Sequence, residues 1–152
     1  MTGRRAPVPA MPVQVARAFD AFPAAVRRRL LDMRALIFET AAGNPSVGPL
    51  TETLRWGEPA YLAEATGSGT TIRLGMTKGS PPQCAMFVNC RTTLIDAFRL
   101  SFPDAFGYEK NRAVLLPPSG PLPREALAVC VAMALTYRRR ATAKGAFPPC
   151  AT

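Results

Sequence analysis

The chain has no histidine among its 152 residues, and that absence excludes more than any motif does. It removes a histidine general base, a Ser-His triad and every histidine-containing metal site. Acidic residues are scarce as well, ten Asp and Glu against nineteen Lys and Arg, which leaves a formal charge of +9. No apolar run approaches the ~18 residues that a membrane span requires. The N-terminal stretch alternates Pro and Ala instead of building the apolar centre of a secretory signal. Cysteine occurs four times, as Cys84, Cys90, Cys130 and Cys150, without the C-x-x-C spacing of a zinc or redox site. These features lead to the expectation of a cytoplasmic protein with no membrane association, no metal and no cofactor, and they leave the oligomeric state open.

What is present reads as one globular domain. Hydrophobic residues make up 48% of the chain, and its length fits a single core. Residues 1–12, rich in Pro and Arg, are expected as a disordered tail, 13–145 as one domain, and 146–152 as a second loose tail in which Cys150 is exposed and free. The charge could draw in nucleic acid or another acidic partner. However, Arg27-Arg28-Arg29 and Arg138-Arg139-Arg140 are triplets, and three consecutive helical residues point three ways. Solvated helix faces, with the last triplet complementing a helix dipole, account for them.

A short helix is expected over 13–22. Pro23 then suits the first turn of a longer one ending near Gly43. Val26, Leu30, Met33, Ile37 and Ala41 form its core stripe, and Arg27, Arg28 and Arg34 fall off it. Residues 70–76 and 83–90 alternate apolar and polar and predict neighbouring antiparallel strands, with Cys84, Met86, Val88 and Cys90 on one buried face and Ala85, Phe87 and Asn89 on the other. Thr93 with Asp96 has the spacing of a capping box ahead of a helix over 94–102. Residues 106–109 and 112–116 predict a hairpin through Lys110-Asn111, with Asn111 suited to the left-handed conformation. A last helix runs from Pro123 to about Arg140, its core face built by Leu127, Cys130, Val131, Ala134 and Leu135. The order predicts an α+β fold: an antiparallel sheet of about five strands with N- and C-terminal helices packed on one face.

Between the helical and strand-rich halves lies Glu52-Thr53-Leu54-Arg55-Trp56-Gly57-Glu58-Pro59-Ala60-Tyr61, which holds the only tryptophan. Glu52, Trp56, Glu58 and Tyr61 from this stretch, with Arg73, Asn89 and Arg112 from the strands, are the candidate ligand-binding residues. Arginine beside carboxylates can fix a planar anion or amide through bidentate hydrogen bonds. The competing structural reading makes Trp56 and Tyr61 core aromatics and Arg73 with Glu58 an ion pair. Catalysis has thin support. Glu52 and Glu58 could act as an acid/base pair only if they converge, and Cys84 or Cys90 lacks an activating base. No catalytic residue is assigned. Nucleic-acid binding has the charge but lacks aromatic residues interleaved with basic ones on a single strand or helix.

The same stretch, together with Thr70-Thr71-Ile72-Arg73-Leu74 and Asn111-Arg112-Ala113-Val114, resembles the YdhG-like domain family over roughly residues 26–139. The resemblance implies a small α+β fold, distantly frataxin-like in outline. One family member is regarded as an intracellular iron chaperone, so iron delivery is the activity it implies. Against that, the long N-terminal helix carries only Asp32 and Glu39, with Asp20 ahead of it, and Tyr137-Arg138 stands where relatives often carry Tyr-His. The sequence thus predicts a non-catalytic binding or chaperone-like protein for an unassigned small molecule. Iron delivery and charge-driven binding of nucleic acid or an acidic partner are the alternatives.

Overall fold

Val26, Leu30, Met33, Ile37 and Ala41 are all buried along one side of a helix spanning Ala24–Ala42. This is α2; α1, Val13–Asp20, precedes it. Pro23 occupies the N-cap of α2, and past Gly43 the chain leaves the helix at Asn44, whose Oδ1 accepts from the Ser46 hydroxyl at 2.8 Å. The structure is a computed structural model that describes residues 8–144, with side chains described for 8–137. Cys150, the two arginine runs at 4–5 and 138–140 and the expected C-terminal tail fall outside what is described at side-chain level. Within the expected N-terminal tail, Met11 packs against the core and the Pro9 carbonyl accepts a hydrogen bond from Arg34 at 2.8 Å.

Six strands follow: β1 Thr51–Arg55, β2 Glu58–Ala63, β3 Ser68–Met76, β4 Cys84–Phe87, β5 Gly107–Glu109 and β6 Ala113–Leu116. They form one antiparallel sheet in the order β1-β2-β3-β4-β6-β5. The stretch around Trp56 is itself a hairpin and supplies both β1 and β2. Helix α3, Leu94–Ser101, lies between β4 and β5, and α4, Arg124–Lys144, closes the fold. Among the described residues no helix is long and apolar enough to cross a membrane.

The fold is α+β, with its helices packed on one face of the sheet. Ile72, Leu74, Cys84, Met86, Val114 and Leu116 point from the strands into the main core, where they meet Leu30, Ile37, Leu127, Cys130 and Leu135. Seating is close where α4 crosses β3. The Ser68 hydroxyl donates to the Leu135 carbonyl at 2.6 Å, and Gly69 lies against the Leu135 backbone. The opposite face carries a second, smaller cluster of Ala85, Phe87, Ala113 and Leu115.

Three local expectations are corrected. Strand β4 stops at Phe87, so Cys90 leaves the buried stripe; it sits in the following turn and is disulfide-bonded. The Thr93–Asp96 capping box does not form, because the Thr93 amide instead donates to the Tyr137 hydroxyl at 3.1 Å. In the β5–β6 turn Lys110, not Asn111, takes the positive φ of 51°. The Asn111 side chain is used elsewhere, donating to the Cys90 carbonyl at 3.0 Å.

Candidate ligand site on the helix-free face

Strand alternation sends successive side chains to opposite faces of a sheet, and this divides the candidate residues. Glu52 and Tyr61 are register partners across β1 and β2, and both point toward the helices. The Glu52 carboxylate accepts Arg34 Nε at 2.6 Å, Arg34 Nη2 at 2.8 Å and the Tyr61 hydroxyl at 2.8 Å. Arg34 also lies 5.0 Å from the Phe38 ring centroid, and Phe38 meets Tyr61 edge-on. The Arg34 and Glu52 side chains are only 7% and 5% exposed. Burial first, and then the Glu52 carboxylate, push the Tyr61 phenol up. The Glu52 hydrogen bonds raise Arg34 against the opposing effect of its own burial. Each polar group here is already paired inside the network, so it stabilises the fold and does not receive a ligand. Arg34 was expected off the core stripe of α2; it is buried because Glu52 on a distant strand supplies the counter-charge.

The other face holds Trp56, Glu58, Arg73 and Arg112. Trp56 and Gly57 join β1 to β2 with φ values of 53° and 76°, the left-handed pair of a two-residue hairpin turn. Glycine takes such a φ without penalty, whereas a residue with a Cβ pays about 1–2 kcal/mol. The result is an indole that stands 82% exposed. The Arg73 guanidinium lies between two rings, 4.9 Å from Trp56 and 4.9 Å from Phe87, and is ion-paired to Glu58. Arg112 approaches Phe87 at 5.6 Å and keeps a 3.8 Å contact to Glu109. Ring and guanidinium therefore alternate from Trp56 through Arg73 and Phe87 to Arg112.

The backbone makes room for this arrangement. A Cβ at Gly75 would occupy the place of the Glu58 carboxylate, so the missing side chain lets Glu58 lie down over the sheet. Burial there raises Glu58 above the ordinary carboxylate value, opposed by the nearby Arg73 and Arg112 charges. Arg55 is the register partner of Glu58 and shares its face. Three guanidiniums against Glu58 and Glu109 leave the face positive. Tyr61 matches the core-aromatic reading, Trp56 does not, and the Arg73–Glu58 ion pair is present.

Asn89 joins neither group. It is exposed after β4, its Oδ1 accepts the Arg91 amide at 2.9 Å, and it borders a separate cleft of about 270 Å³ with Glu64, Gly67 and Thr71. The acid/base pairing considered for Glu52 and Glu58 is overturned, because the two carboxylates project from opposite faces. Cys84 and Cys130 are buried free thiols, pushed up by burial to about 11 and about 12, so neither is a ready nucleophile. Phe87 and Arg55 were missed as site residues. Alternation had placed Phe87 on this face, but only the register shows it beneath two guanidiniums.

Comparison with family models, with curated proteins and with solved structures finds no match.

Proposed function

We propose that this protein is a non-catalytic binding protein that holds a planar, negatively charged ligand on the helix-free face of its sheet. The observation that carries the reading is Trp56, a large aromatic side chain in a left-handed turn position that disfavours it, exposed on one side and backed by Arg73 on the other. A planar group can stack on the outer face of the indole. Arg112 and Arg55 supply charge at the edges, and Arg73 with Glu58 fixes the floor. Iron delivery, implied by the YdhG-like resemblance, has less support. Glu39 is paired with Arg124 at 3.2 Å, and among the described residues no group of three or more His, Cys, Asp or Glu side chains converges.

Trp56 is the only tryptophan, so its emission reports this site alone. A titration with aromatic carboxylates and nucleoside monophosphates should change that emission and raise the melting temperature. A ligand at a hundred times its dissociation constant adds about 2.7 kcal/mol. Trp56→Asn and Arg112→Ala should abolish the thermal shift while leaving the melting temperature of the free protein nearly unchanged. A shift that survives both variants, or no response from any planar anion, would sink the assignment.

A further inference from the structure

Resting on the reading above, we propose that the ligand is single-stranded nucleic acid, laid across the strands with a base against the outer face of Trp56 and phosphates against Arg55 and Arg112. None of the described strands carries both an aromatic and a basic side chain. The sheet register assembles the interleaving across strands. Arg73 pairs with Phe87, and Phe87 with Ala113, in adjacent strands, while Trp56 and Arg112 extend the row at either end. Stacking on aromatic rings and guanidinium planes, with cations along the backbone, is how single strands are held without sequence readout.

Shape separates a strand from a small molecule. Small-ligand sites are concave and enclose most of their ligand. Two clefts among the described residues, of about 350 Å³ and 270 Å³, lie apart from Trp56, Arg73 and Arg112. The helix-free face is instead floored by the small residues Ala60, Gly75, Ala85 and Ala113, all buried among their neighbours, with the Trp56 indole standing exposed on it. A compact ligand would bury one side only, whereas a polymer adds contacts along its length. The occupant is an unpaired strand because a base inside a duplex already has both faces stacked and cannot meet Trp56. The formal charge of +9 suits a polyanion.

The test uses the full chain. Trp56 emission is titrated with single-stranded oligothymidylate of about twelve nucleotides, with a duplex of equal length and with thymidine monophosphate; an oligouridylate run beside them assigns DNA or RNA. The single strand should quench Trp56 and bind at least tenfold more tightly than the duplex or the mononucleotide. Two phosphate contacts predict a slope of log K against log salt of about −1.4, and Arg112→Ala should make it shallower by about 0.7. Trp56→Asn, followed by anisotropy of a labelled strand, should bind roughly tenfold more weakly. A mononucleotide that binds as tightly as the strand overturns this inference and leaves the planar-ligand site intact. Equal binding of strand and duplex, unaffected by Trp56→Asn, assigns the affinity to basic charge alone and overturns the inference. If neither the strand nor any small planar anion changes Trp56 emission, both readings fall.

Discussion

Replacing Glu52 tests whether its buried network supports the fold. The carboxylate receives three hydrogen bonds, two from Arg34 and one from Tyr61, and neither charged partner has more than 7% of its side chain exposed. Removing one member of such a pair strands the other and costs about 3–5 kcal/mol. Glu52→Gln keeps an oxygen for one donor, so we expect a loss of about 3 kcal/mol, at the low end of that range. Glu52→Ala also orphans the Tyr61 hydroxyl and should reach about 5 kcal/mol. Against a total of about 5–15 kcal/mol for a typical domain, that is a large fraction. Urea unfolding followed by circular dichroism measures it, provided the slope m stays constant. The combined Arg34→Met, Glu52→Leu, Tyr61→Phe variant should return to within about 1 kcal/mol of the parent, because no uncompensated charge remains. A Glu52→Gln loss under about 1 kcal/mol would refute the reasoning, since a stranded buried charge cannot be that cheap. A triple variant as unstable as Glu52→Ala would instead assign the loss to packing.

The folded state raises Glu58 through burial, so the folded chain keeps that proton to higher pH than the unfolded chain does. Its contribution to stability is therefore full below the unfolded value of ~4.3 and is lost as the pH rises through the folded value. The stability difference between the parent and Glu58→Gln, from urea midpoints at several pH values, should fall across that window; a rise would mean that the Arg73 pairing outweighs burial. Cys84 and Cys130, pushed up to about 11 and about 12, should resist iodoacetamide at neutral pH until the protein unfolds. Peptide mapping that finds either thiol modified in the native state would contradict this. Gly69→Ala would place a Cβ on the Leu135 backbone at a φ of 77° and should cost at least about 3 kcal/mol. Gly67→Ala has the same hand of φ but open space and should cost only about 1–2 kcal/mol, so equal losses would refute the close approach of α4.

Periodicity made the helices and most strands legible. Each stripe residue named for α2 and α4 is buried, because a helix shows its core face every three or four residues. The hairpin at Trp56 was harder to read, since its left-handed position carries a tryptophan where asparagine, aspartate or glycine usually signals the turn. The burial of Arg34 was illegible for a different reason. Off-stripe arginine on a helix reads as solvated, and only the distant Glu52 changes that. Likewise, the capping box at Thr93 lost to a tertiary partner, Tyr137, that no local pattern reveals. The candidate site was half legible. Arg73, Glu58, Trp56 and Arg112 do gather, whereas Glu52 and Tyr61 follow the opposite parity and Asn89 lies past the end of its strand.

Alternation along β1 and β2 also means that one short stretch serves two masters. Glu52 and Tyr61 look inward to the helices, while Arg55, Glu58 and, through the turn, Trp56 look outward. A substitution scan from 52 to 61 should sort by position, with folding defects at inward sites and, under the proposed function, binding defects at the exposed outward ones. The outward set can be changed without repacking a single helix. Few changes to the inward set would leave a folded protein.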